Sequence, residues 1–564
     1  MVCYNHTMDN IVIKIEDKTV TLPRYSTVYK ALEKAGLSVA ARYEDNPIVG
    51  ATVNGELQPL GAVIETLEAT VSPIRVFDYY GRRIYRHSLA FLLGMAAQQI
   101  FPDRVLTIWH SMGNSLYFSF EDNQVLEQTD IEALSSRMSS IVRNNYEIEY
   151  TALTCSAAVE YFKKNNRTDT AELISNHNNP SIFLYKVEDH YDMAYEPLAP
   201  RTGLLTVWDL VPYGRRGMLL RYPDSTDVQN IRNTTDNPKL FSVFEEYKQW
   251  GKILGVSSAS QMNKRVTDGS VNQYIRLSES LQRKKLYALA DEITRRQSKS
   301  VFISGPSSSG KTTFSKKLCE QLSLMGYDPI QISLDDYYKP RVEIPLNKKG
   351  EPDYECIEAL RVDAFKSDME KLFKREEVYL PIWSIAHQKL TYRDKTVKLD
   401  DYSIFVIEGI HALNPVFTSC VPKESVFRIY ISALTQLTLD SHNRISTTDT
   451  RILRRLIRDN RTRGISATDT LSMWGSIATG ERKHIFPFQS NADVMFNTSL
   501  DYEIGVLSTY AIPLLAEVSP ESGGAYTDAR RLLSFLKNIN AIPSDPVPSD
   551  SLLREFIGGS DYEE

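Results

Sequence analysis

Residues 302–314 read FISGPSSSGKTTF. Gly305, followed after four residues by Gly310, Lys311 and Thr312, has the spacing of a loop that wraps phosphate. A β-branched, apolar strand runs into the loop, and TTFSKKLCEQL opens a helix directly after it. The glycines let consecutive backbone N–H groups turn inward around phosphate oxygens, and the helix N-terminus adds its partial positive charge. Gly305, Pro306, Ser307, Ser308, Ser309, Gly310, Lys311, Thr312 and Thr313 are therefore the expected cradle for the phosphates of ATP. Lys311 reaches for the β- and γ-phosphates, and the Thr312 hydroxyl for Mg2+. A Gly/Ser-rich turn with no ligand is the plain alternative; the flanking strand and helix count against it.

Downstream, strands alternate with helices: SVFISG, a helix, DPIQISLDD, a helix, YSIFVIEG, FRIYIS, then a long basic helix. Such alternation predicts a parallel sheet covered by helices on both faces. Ligands of such sheets bind along the C-terminal strand edge. QISLDDYY puts Asp335 and Asp336 there, where a carboxylate takes a proton from an attacking hydroxyl or helps hold Mg2+; a solvated, helix-capping pair is the commoner alternative. IFVIEG ends at Glu408, an expected second anchor for Mg2+. RILRRLIRDNRTRG contains six arginines, with Arg451, Arg455 and Arg458 on one helical face. Such a helix is either a basic solvated face or a lid that folds over phosphates.

The chain has 564 residues, 42% apolar and 24% charged, which fits several soluble domains. A net charge of −6 gives no support to wholesale nucleic-acid binding, so an RNA contact must be local. Five scattered cysteines without a CxxC pair suit reduced thiols. No secretory start and no membrane-length apolar run is present, so the expected location is cytoplasmic. Homo-oligomerisation is left open.

The expected organisation has five parts. Residues 1–72 form a small α+β unit with a hairpin at 11–22 and an Asn-Gly turn. Residues 73–225 form a second α+β unit. Residues 226–275, rich in Asn, Asp, Ser and Thr, connect it to the phosphate-binding unit at 276–520. Residues 521–564 carry one amphipathic helix and an extended, acidic tail.

The series GPSSSGKTT, SLDDYY, PIWSIAH, IEGI and RRLIRDNRTRG resembles the uridine kinase and phosphoribulokinase family over roughly residues 296–515. The resemblance implies that Asp335 is the general base for a nucleoside 5′-hydroxyl and that Tyr338 contacts the nucleoside. It implies a Mg2+ role for Glu408, with Thr312 and Asp335, and lid roles for Arg455, Arg458 and Arg463. Trp383 and His387, with Arg458, fall on the acceptor side. The base-facing segment departs from the family: Trp383, Ser384 and Ile385 stand where Tyr, Asp and Phe are usual, and Glu355 and Glu358 replace aspartates.

The first unit resembles a TGS β-grasp domain, and the second the editing domain of threonyl-tRNA synthetases. That domain's four-residue metal-like set survives here only at His87; Phe91, Ala194 and Leu198 occupy the other positions. One imidazole cannot hold zinc, so no zinc is expected, and His87 reads as a packed or capping histidine. The three-part arrangement resembles bacterial nucleoside kinases described as uridine kinase-like. The expected activity is ATP- and Mg2+-dependent phosphorylation of a nucleoside of the uridine or cytidine type. A phosphoribulokinase-type sugar-phosphate kinase and a nucleotide-binding regulator that meets RNA through its N-terminal domains are the alternatives.

Overall fold

The computed structural model describes residues 10–39, 42–176, 179–232, 236–347, 350–384 and 389–562. The protein is a multidomain α/β and α+β chain. The phosphate-binding unit is built on five parallel strands: β1 (Ser300–Ser304), β2 (Asp328–Ser333), β3 (Ser403–Glu408), β4 (Val426–Ser432) and β5 (Val494–Asn497), in the order β2-β3-β1-β4-β5. All registers are parallel. Alternation along β1 sends Val301 and Ile303 to one face and Phe302 to the other. Leu286, Leu289 and Ile293 of helix Val271–Arg295, with Phe314 and Leu318 of the loop helix Lys311–Leu324, cover the first face. Phe365, Met369 and Leu372 of helix Val362–Phe373 cover the second. Both faces are buried, which is why these strands read as continuous apolar runs.

The first unit is a five-stranded sheet with one helix, Val28–Lys34. Its strands Asn10–Ile15 and Glu68–Arg75 are parallel neighbours at the centre. The 22-residue helix Tyr79–Ile100 opens the second unit, which adds a four-stranded antiparallel sheet and a three-stranded one.

The connecting region is more ordered than its composition suggests. Residues 238–295 form three helices. Pro238 starts the first behind the Asn237 cap, and Gly255 ends it at φ +69°. That helix wedges between two sheets: Phe244 stacks on His110 with ring centres 3.6 Å apart, Lys248 donates to Ser119 Oγ, and Tyr247 donates to the Asn497 carbonyl. Average polarity hid the apolar stripe of Leu240, Val243, Phe244 and Tyr247.

The tail also differs from its extended reading. After helix Gly524–Leu536 the chain runs in turns to a short helix, Arg554–Ile557. The Arg554 guanidinium gathers the carbonyls of Ser544, Val547 and Gly558. Leu552, Leu553 and Phe556 are buried.

Candidate active site

β1 delivers the chain into the loop. A Cβ on Gly305 would lie 2.2 Å from the Ile431 carbonyl of β4, so only glycine fits there. Ser308 at φ +60° and Gly310 at φ +86° make the left-handed bends that turn the amides inward. A serine held in that region costs about 1 kcal/mol or more, and such strain concentrates at ligand clamps. The Ser308 and Ser309 hydroxyls are buried without a hydrogen-bond partner. A phosphate, with its several acceptor oxygens, suits such a cradle. Lys311 folds back to the carbonyls of Gly305 and Pro306, at 3.1 and 3.2 Å. Burial lowers its pKa, while Glu408, Asp335 and Glu555 pull the other way.

β2 and β3 end side by side, with Ser333 opposite Glu408. The Ser333 hydroxyl donates to Glu408 Oε1 at 2.8 Å and accepts from the Asp335 amide. Burial first, and then the Asp335 charge, push the Glu408 carboxyl up to about 7, against the pull of Lys311. A carboxyl whose proton affinity is raised by a neighbouring carboxylate makes a site that favours a cation. Asp335, Glu408 and Thr312 present two carboxylates and a hydroxyl, the hard oxygen donors that Mg2+ takes. Gly409 is glycine because Leu334 packs where its Cβ would stand, 2.6 Å away.

The two aspartates divide the work. Asp335 faces Lys311 and Glu408. Asp336 turns away and accepts the Trp383 amide at 3.0 Å, which anchors the hairpin Pro381–Ser384/Lys389–Tyr392. Trp383 thus sits on an element fixed beside Asp335. His387 lies outside the described residues. Tyr338 is engaged within the protein: its hydroxyl donates to the Tyr354 carbonyl at 2.9 Å.

The arginine helix, Thr447–Arg463, crosses the loop. Arg455 donates to Ser307 Oγ at 2.6 Å, and Arg451 to the Ser307 carbonyl at 2.9 Å. Arg454 is fully buried, pairs with Glu503 and reaches the carbonyls of Ser308 and Thr498. Arg458 lies 3.5 Å from Glu555. Arg463 pairs with Asp459 at 3.0 Å at the far end of the helix, with 46% of its side chain exposed. Arg455 shares the same Asp459.

Two carboxylates that sequence reasoning missed sit in the loop itself. Glu481 accepts the Ser307 amide at 2.9 Å and pairs with Arg451. Glu555, from the tail, accepts the Thr313 amide at 3.3 Å. Oxyanions thus meet two of the amides expected to receive phosphate. Nothing local marked either residue; only the fold brings positions 481 and 555 to residues 307–313. Glu355 also faces this space: burial and Glu481 push it up to about 7, against Arg455 and Lys311. Buried His411 lies near His484, and burial lowers its pKa to about 4.

In the second unit, His87 Nδ1 lies 3.4 Å from Glu196 Oε2. Phe91 and Leu198 are packed in the apolar core, and Ala194 borders it. Among the described residues no group of three or more His, Cys, Asp or Glu side chains could hold a metal. Among the described residues, too, no helix is long and apolar enough to cross a membrane.

Loop, strand order and arginine helix together define a P-loop phosphotransferase fold. Residues 301–504 match the model of the Phosphoribulokinase / Uridine kinase family. The N-terminal part is similar to threonine–tRNA ligases. Identity is 26% over 168 residues to that of Lawsonia intracellularis, covering 30% of this chain and 26% of the ligase. It is 29% over 174 residues to that of Halorhodospira halophila, covering 31% and 27%. The chain spans about a quarter of the length of these curated relatives. Among solved structures, the "Structure of a Possible Uridine Kinase from Bacillus stearothermophilus" is 18% identical; the match covers 38% of this chain and 98% of that one, with a TM-score of 0.26. D-glycerate 3-kinase from Cryptococcus neoformans var. grubii is 14% identical, covering 47% and 89%, with a TM-score of 0.22.

Proposed function

We propose that this protein is an ATP- and Mg2+-dependent kinase that phosphorylates the 5′-hydroxyl of a nucleoside. The observation that carries the reading is the placement of Lys311 among Asp335 and Glu408, below the arginine helix. Lys311 and the loop amides hold the β- and γ-phosphates. Asp335 accepts the hydroxyl proton as the 5′-oxygen bonds to the γ-phosphorus, and the β–γ bridging oxygen leaves with ADP. Arg455 and Arg458, with Arg463 at the helix end, close over the transferred group and offset its charge. Thr312, Glu408 and Asp335 would hold Mg2+, which neutralises the β- and γ-phosphate oxygens when bound.

A nucleoside is favoured over a phosphorylated sugar by charge. A second phosphate would need arginines of its own, and those beside Glu355, Arg451 and Arg455, are already engaged by Glu481, Ser307 and Asp459. The test is transfer from Mg-ATP to uridine, cytidine, adenosine, guanosine, inosine, thymidine and ribulose 5-phosphate, with Asp335→Asn alongside. Turnover of one nucleoside, lost in the variant, supports the reading. Turnover of ribulose 5-phosphate alone replaces it with a sugar-phosphate kinase. Silence across the panel with ATP still bound favours a regulator that meets RNA through the N-terminal units.

A further inference from the structure

A cavity of about 70 Å³ lies between the second unit and the start of the arginine helix. At about 15 Å³ per water it has room for about five waters. Arg83, Arg86, Arg444 and Arg531 bring four guanidinium groups to its wall, against two carboxylates, Glu196 and Asp449. Both carboxylates are engaged. Glu196 takes Arg83 and approaches His87. Asp449 takes both terminal nitrogens of Arg531, at 2.9 and 3.0 Å.

Arg86 and Arg444 are left over. Among the described residues neither has an ion-pair partner, and the Arg444 Nε is buried without a hydrogen bond. A cation with a buried, unbonded nitrogen and no ion pair of its own is costly, and the nearest carboxylate, Asp449, is already taken by Arg531. Burial, followed by repulsion from Arg86, lowers the Arg444 pKa to about 10, against the pull of Tyr222 and Asp449. A wider cleft of about 400 Å³ borders it, sharing Ala194, Tyr195, Glu196 and Arg531 as lining residues.

We propose that this cavity binds a small oxyanion, a phosphate or carboxylate group held by Arg86 and Arg444. The apolar wall of Ala90, Ile108, Leu116 and Leu439 limits the ligand to a few heavy atoms beyond that group. Planar guanidinium groups hold such oxyanions through paired N–H donors. Ser446 and Asp449 of the wall belong to the first turn of the arginine helix. An oxyanion here therefore touches the helix that carries Arg455 and Arg458 two turns on. The assignment stands independently of the kinase reading.

The test uses the full-length protein with Lys311→Ala, which weakens anion binding at the phosphate loop. Inorganic phosphate and succinate are titrated separately at constant ionic strength, by calorimetry and thermal melting. The expected result is that one of them binds and raises Tm, and that Arg86→Gln or Arg444→Gln weakens its binding at least ten-fold. Which of the two binds decides between a phosphate and a carboxylate ligand. Arg86→Gln carries the test if Arg444→Gln does not fold. Binding of neither anion overturns the assignment, and so does binding that survives in the folded arginine variants.

Discussion

The arginine helix meets two clusters of charge, one at each end, and they are built differently. Over the phosphate loop every arginine has a partner: Arg451 has Glu481, Arg454 has Glu503, Arg455 has Ser307 and Asp459, and Arg458 has Glu555. At the other end, around His87, two of four arginines have no ion-pair partner among the described residues. Phosphate loops bind large polyanions that arrive with their own counter-ion, and carboxylates that fill in for them keep the empty loop satisfied. In the His87 cavity Glu196 and Asp449 are taken by Arg83 and Arg531, and among the described residues no ion pair is left for Arg86 and Arg444. The difference shows how a chain of net charge −6 localises positive potential: by withholding carboxylates at chosen points rather than by adding lysines.

The largest effects are expected where a group serves only the reacting phosphate. Lys311→Ala and Asp335→Asn should each lower kcat/KM on the order of 10³-fold or more, about 4 kcal/mol. They should differ in kind. Asp335→Asn should leave ATP affinity within a few-fold and lose kcat, while Lys311→Ala should lose both. Single-turnover kinetics alongside ATP binding separates the two, and equal ATP affinities in both variants would remove Lys311 from the phosphate site.

Next in size is a stability effect. Arg454 and Glu503 are both fully buried. Arg454→Ala leaves a buried carboxylate unpaired, so urea unfolding should show a loss of about 3–5 kcal/mol. The double variant Arg454→Met/Glu503→Gln removes both charges and should recover much of that loss. If the single and double variants unfold alike, the pair contributes packing rather than charge.

The Glu408 carboxyl gives a pH signature. Its folded-state value is raised to about 7, so its contribution to the stability of the ligand-free chain is present at low pH. That contribution is lost as pH rises through about 7. Mg2+ needs the anion and has the opposite dependence. Mg-ATP affinity should therefore rise between pH 6 and 8, by up to about ten-fold, and Glu408→Gln should flatten the profile. A profile unchanged in that variant would assign the titration to Glu355, whose carboxyl is raised to a similar value.

The sequence showed the loop, the strand edge and the arginine helix because each is a local pattern: a fixed spacing of glycines, a β-branched run with an acid at its end, arginines at helical spacing. The parallel α/β arrangement followed from their alternation. Asp335 and Asp336 could not be told apart by spacing, because only the fold brings Lys311 and Glu408 to Asp335 and the Trp383 amide to Asp336. The helices at 238–267 were masked by polar composition, since their apolar face is set by the two sheets they separate. Nor was the His87 cavity legible. Its arginines come from positions 83, 86, 444 and 531, and only the long-range fold gathers them.

The smallest expected effect concerns Glu555, where the comparison between the two clusters is most open to being sharpened. Its carboxylate accepts the Thr313 amide and faces Arg458. Arg461 grips the Glu555 and Phe556 carbonyls, and the Phe556 ring lies under Arg454. An incoming phosphate that needs the Thr313 amide must displace that carboxylate or draw on the amide's remaining capacity. Displacing one charge-assisted hydrogen bond costs about 1–2 kcal/mol. Glu555→Gln, which keeps the shape and weakens the acceptor, should therefore tighten ATP binding about three- to ten-fold with Tm little changed. Weaker binding would mean the opposite arrangement, in which Glu555 orders Arg458 for the phosphates rather than filling in for them. Truncation after Asp550 distinguishes these further. It removes the carboxylate together with the Phe556 packing, so it should tighten ATP binding like Glu555→Gln while lowering Tm.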